Sequence, residues 1–97
     1  MEVTITNGSE VTINGHIKTI EDYQKIKQAL NAVINNGEKK ITVKIPQSLT
    51  MTSSVIGYLL KLVFENHIDL SLYVKDDKLY NLLDVLNLVT VFKVQKM

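Results

Sequence analysis

The chain contains no cysteine, which excludes disulfides and thiolate metal sites and suits a reducing compartment. It has a single proline, Pro46, and no internal repeat, low-complexity stretch or linker, so its 97 residues read as one domain spanning 1–97. An excess of either charge is also missing. Eleven basic residues face ten acidic ones for a net charge of +1, and no basic run exceeds Lys39-Lys40, so no field draws in nucleic acid. The longest apolar stretch, Val55 to Phe64, is interrupted by Gly57 and Lys61 and falls short of the roughly 20 residues that span a bilayer. The opening Met1-Glu2-Val3-Thr4-Ile5-Thr6 has neither a basic start nor an apolar core, so no signal peptide is expected. These absences predict a cytoplasmic protein without membrane insertion.

Chemistry-bearing motifs are equally scarce. His16 and His67 lie far apart, each without a second ligand at metal spacing. No Walker, dinucleotide or Ser/His/Asp arrangement occurs. No metal, cofactor or enzymatic activity is expected. Asp76-Asp77 reads as the acidic opening of a helix, and Asn36-Gly37 as a left-handed helix stop.

What is present is strong patterning. Hydrophobic residues at 45% and charged residues at 22% are ordinary for a globular chain. Val3 and Ile5, then Val11 and Ile13, alternate with polar residues around Asn7-Gly8, predicting a β-hairpin. Thr19 with Asp22 approximates a capping box ahead of a helix whose apolar face is Ile20, Tyr23, Ile26, Leu30, Val33 and Ile34. Ile41, Val43 and Ile45 form a third strand that Pro46 ends. A second helix runs from about Ser53 to Asn66, a fourth strand carries Leu70, Leu72 and Val74, and a third helix carries Leu79, Leu82, Leu83 and Leu86. Thr90 to Val94 adds a short edge strand or docks on the core. The order ββαβαβα, with a possible final β, predicts an α/β domain: a mixed, mostly parallel sheet of four to five strands under three to four helices.

The segment Thr50 to Leu60 sets a cluster of hydroxyls before an apolar helix. Ser and Thr favour helix starts because their oxygens accept from the unpaired N–H groups of the first turn. The same end of a helix attracts anions, including a phosphate on one of those hydroxyls. Thr52, Ser53 and Ser54 therefore read as a cap or as a phosphorylation switch. Beyond them, Ser54, Gly57, Lys61 and Glu65 make a narrow polar stripe at steps of three and four. The apolar arc that remains is wide for a helix on a sheet, which predicts Val55, Tyr58 and Leu62 near the surface unless neighbouring helices cover them.

Three passages resemble the STAS domain family, which includes the anti-sigma factor antagonists and the tails of sulfate transporters. Asn14-Gly15-His16-Ile17 is similar to the family's Gly-containing strand end. Met51-Thr52-Ser53-Ser54-Val55-Ile56-Gly57-Tyr58-Leu59 is similar to its signature of an apolar residue, Asp, Ser, Ser, Gly, an apolar residue and Gly. Leu79 through Val94 is similar to its C-terminal helix and the apolar end beyond. The family Asp falls on Thr52 and its first Gly on Val55. The resemblance implies a regulatory module that binds an anti-sigma factor which is also a serine kinase. It places phosphorylation at Ser53, with Thr52 and Ser54 as further candidates, and a partner surface at Thr52, Ser53, Ser54, Gly57, Tyr58 and Lys61. A monomer or weak homodimer is expected. The alternative it implies is a constitutive STAS-like subunit of a larger assembly, such as a lipid-transport system, without phospho-switching.

Overall fold

Alternation decides the sheet. Val11, Ile13, Ile41, Val43, Ile45, Leu70, Leu72 and Val74 occupy every second position of their segments, and all eight are buried. In the computed structural model, which describes residues 1–97, these segments become β2 (Glu10–Asn14), β3 (Lys40–Ile45) and β4 (Asp69–Val74). A preceding strand, β1 (Glu2–Thr6), and a last one, β5 (Val94–Lys96), complete a five-stranded sheet in the order β1-β2-β3-β4-β5. The helices are α1 (Ile20–Asn35), α2 (Ser53–Phe64) and α3 (Asp77–Val85). The sheet is mixed: β1 and β2 pair antiparallel through the expected hairpin, and the other three pairings are parallel. Asn7 and Gly8 both take the positive φ that such a turn requires.

Spatial order equals chain order, so every crossover steps the same way across the sheet. Crossovers of one hand then place all three helices on one face. The burial pattern agrees, because Thr12, Thr42, Lys44, Ser71 and Tyr73 on the other face are only half-buried. Between the layers lies one core of 23 apolar residues.

Helix ends follow the chemistry of their sequences. Thr19 Oγ1 accepts from the Asp22 N–H at 3.1 Å, and Asp22 Oδ2 accepts in return from the N–H of Thr19 at 2.9 Å. The predicted capping box is therefore complete. Gly37, at φ +90°, ends α1 as expected. α2 closes at Phe64, two residues short of the expected Asn66, and His67 beyond it takes the same left-handed conformation.

Of the two expectations for Thr90 to Val94, docking on the core describes its first four residues, and a short strand follows. Thr90 to Lys93 is a turn rather than a strand, and pairing begins only at Val94. The reason is Phe92, which is fully buried and must plug the core before the chain can extend. Lys93 takes positive φ behind it and reaches Asp69 at 2.6 Å, and the Phe92 carbonyl accepts from Leu72 N–H at 3.1 Å.

Acid should weaken the α1 cap. The N–H groups of Lys18 (2.8 Å) and Thr19 hold the Asp22 carboxyl below its ordinary value of 3.8. A carboxyl depressed in the folded state contributes stability that is present above the unfolded pKa and lost as pH falls through the folded one. Asp69, lowered first by its bond from Lys93, acts with the same sign. The melting temperature is thus expected to fall as pH drops from about 4 towards about 2. Asp22→Asn should start lower at neutral pH and fall less steeply, as thermal melts followed by circular dichroism would show.

Candidate functional site: the amino end of α2

The carboxyl ends of β2, β3 and β4 lead into the starts of α1, α2 and α3, so three helix N-termini gather at one end of the sheet. Open α/β sheets generally present their binding surfaces there. Each start is capped in its own way. Thr19 caps α1, Asp76 caps α3 by accepting from Lys78 N–H at 2.8 Å, and Thr52 caps α2.

The approach to α2 is fixed by a residue that sequence reading passed over. Ser48 is the one polar side chain among the 24 buried residues, at 0% exposure. Its hydroxyl accepts from Ile17 N–H at 3.0 Å and donates to the Thr50 carbonyl at 2.7 Å. Beside it, Gln47 Oε1 accepts from Gly15 N–H at 2.6 Å. The β3–α2 segment is thereby clasped to the β2–α1 segment, directly before the hydroxyl cluster. Gly15 is suited to its own position: it has φ +97°, and a Cβ there would meet the Met1 backbone at 3.1 Å. Only the position of Ser48 just after Pro46, ahead of a capped helix, signalled its role.

The three clustered hydroxyls are sorted by the fold. Thr52 Oγ1 accepts from Val55 N–H at 3.3 Å and is half-buried. Ser53 and Ser54 open α2 with exposed side chains. Gly57 and Lys61 continue the exposed stripe, and a Cβ built on Gly57 would meet nothing within 4 Å. The chain contains no arginine, so no guanidinium of its own can clamp an anion at this end.

Comparison with protein-family models, curated proteins and solved structures finds no significant match.

Tyr58 stands elsewhere than expected. It is 7% exposed and faces α1, where its ring meets Tyr23 edge-on at 6.4 Å and its hydroxyl bonds Asn31 Oδ1. Lys27 Nζ lies 5.8 Å and 5.9 Å from the two ring centroids. Burial, with Tyr23 second, raises the Tyr58 hydroxyl above its ordinary pKa. Tyr58 is therefore a helix–helix contact and not part of the outer stripe. Val55 and Leu62 are likewise core residues, so of the two expectations it is the covered one that holds for them. The apolar surface of α2 lies on its other flank. Ile56, Leu60 and Val63 are half-buried there, and Phe64 is 62% exposed. On α3, Val85 is 79% exposed.

The histidines sit at opposite ends of the sheet, His16 after β2 and His67 before β4, so they cannot share a ligand. Two shallow grooves occur, one between β1 and α1 and one on the open sheet face beside the Lys44–Glu10 pair at 2.9 Å. No helix is long and apolar enough to cross a membrane.

These assignments separate by equilibrium unfolding. Thr52→Ala should cost roughly 0.5–2 kcal/mol through loss of the cap. Ser53→Ala should cost less than about 0.5 kcal/mol, as expected of a surface change. Equal costs at the two positions would show that the cap is misassigned. Ser48→Ala strands the buried Ile17 N–H and should cost about 1–3 kcal/mol.

Proposed function

We propose that this protein is a STAS-like regulatory module that binds a protein partner through the amino end of α2 and is switched by phosphorylation of Ser53. The observation that carries the reading is the division of labour at that end. Thr52 holds the cap, which leaves the adjacent Ser53 hydroxyl exposed and uncommitted. The departure from the family's Asp then has a simple physical account, because Asp and Thr are both good N-caps. Val55, where the family has Gly, points into the core and adds no bulk outside.

A phosphate on Ser53 brings about −1.5 to −2 charges to the positive end of the α2 dipole. The fold tolerates that charge, so its effect falls on whatever docks against Ser53, Ser54, Gly57 and Lys61. Gly57 supports a docking surface, since a glycine inside a helix costs about 1 kcal/mol relative to Ala. Nothing in this chain requires it, and a close-fitting partner would. The partner class implied by the resemblance is an anti-sigma factor with serine kinase activity.

A second reading is favoured by two exposed apolar side chains, Phe64 at the end of α2 and Val85 at the end of α3. A constitutive subunit would bury these side chains in a larger assembly, such as a lipid-transport complex.

One experiment decides between them. The protein is isolated from its native cell with its bound partner, and its phosphopeptides are mapped by mass spectrometry. The switch reading expects phosphate on Ser53, and Ser53→Glu should keep the wild-type melting temperature while losing the partner. If no phosphate appears on Thr52, Ser53 or Ser54, the switch is wrong. If Ser53→Glu keeps its partner while Phe64→Ser loses it, the constitutive reading stands.

A further inference from the structure

We infer that β1 is a homodimerisation edge, at which a second copy of this chain adds its own β1 antiparallel to extend the sheet across a two-fold axis at Thr4. An outer strand offers a row of unpaired N–H and C=O groups, and proteins commonly blunt it with lysine, proline, a bulge or brevity. The two edges of this sheet differ in that respect. β5 is three residues long, flanked by Lys93 and containing Lys96. β1 is five residues long, regular in its pairing with β2, and free of lysine and proline. Its sequence, Glu-Val-Thr-Ile-Thr, has the β-branched composition that strands favour.

The occupant follows from self-complementarity. Val3 and Ile5 lie opposite Ile13 and Val11, so they face the helix layer, while Thr4 lies opposite Thr12 on the open face. An antiparallel copy centred on Thr4 sets Val3 against Ile5 twice, Thr4 against Thr4, and Glu2 against Thr6 twice. Apolar meets apolar, polar meets polar, and the strand's only charge meets a threonine. A shift by one residue would oppose apolar to polar positions along the whole strand. Ile5, 44% exposed although it faces the helix layer, gains its missing neighbour from the second Val3.

The helix layer fits the same axis. α1 packs against β1 and β2, and an open groove of about 480 Å³ remains between its Lys25, Gln28 and Ala29 side and β1. Strands are spaced about 4.8 Å apart, so two α1 helices centred over their β1/β2 pairs would lie about 10 Å apart across the axis. That is the upper end of ordinary helix packing distances. Ala29 presents a small side chain on the side that must approach, flanked by the flexible Lys25 and Gln28.

Thr4 is exposed, so it tests the axis without touching the core. Thr4→Lys and Thr4→Glu each set like charges opposite one another at the two-fold, which destabilises cross-strand pairing. Sedimentation velocity of the wild type should show a concentration-dependent monomer–dimer equilibrium. Each variant alone should weaken it by up to about fivefold, and an equimolar mixture of the two should restore it as a heterodimer. Hydrogen exchange at β1 amides should slow in the wild type as concentration rises, which reports the contact even if a variant folds poorly. A wild type that is monomeric throughout would overturn the proposal. So would a dimer indifferent to both substitutions, or a β1 that pairs only with an added extended peptide.

Discussion

Everything in this molecule follows from three crossovers that step the same way across one sheet. A doubly wound sheet reverses direction and covers both faces. This one does not, so its helices form a single layer and its strands are amphipathic, buried on one side and half-exposed on the other. The strict alternation in β2, β3 and β4 reflects that exposure, since strands covered on both faces read as continuous apolar runs. The same constraint gathers the helix starts at one end and leaves β1, the strand outside the progression, as an edge. With one layer there is also little room for polar groups inside, and Ser48 is the only such side chain in the core.

Ser48 shows how the layer is registered. Strand pairing fixes β2 beside β3, but the angle at which α2 leaves the sheet depends on the segment between Pro46 and Thr52. Hydrophobic contact is non-directional and could not hold that segment in one path. The Ser48 hydroxyl supplies direction, with a donor and an acceptor both used within the chain. The Thr52 cap then sets where the helical turns begin. Exposure of Ser53 and Ser54, with Thr52 half-buried at the cap, is a result of that phase.

The sheet and the helix starts were legible because local chemistry decides them. Asn7-Gly8 fits a turn with positive φ, Thr19 and Asp22 exchange hydrogen bonds three residues apart, and Gly37 accepts a left-handed stop. None of these depends on distant residues. The faces of α2 were less legible because neighbours decide them. Twelve residues with a wide apolar arc do not reveal which flank α1 covers, and Tyr58 was placed outside when Tyr23 and Asn31 in fact hold it. The role of the last segment was open for a similar reason. Thr90 to Val94 could equally extend the sheet or dock on the core, and Phe92 is fully buried there while pairing begins only at Val94. Ser48 lacked any periodic signal, because its role lies in a contact across 31 residues of chain.

The two proposed surfaces are compatible because α1 stands between them. One flank of α1 carries Tyr23, Lys27 and Asn31 against α2, and the other carries Ala29 and Lys25 towards β1. A second copy at β1 would therefore approach the side of α1 that α2 does not use. The amino end of α2 would stay open in both copies, related by the two-fold axis. Pairing at the edge would leave Ser53 as exposed as before, so dimerisation by itself would not block phosphorylation. It would present two switchable surfaces on one extended sheet, and a partner that is itself two-fold could engage both. The second contact would then occur at high effective concentration, provided the spacing matches. A single phosphate would in that case remove one contact of two, whereas two phosphates would remove the partner altogether.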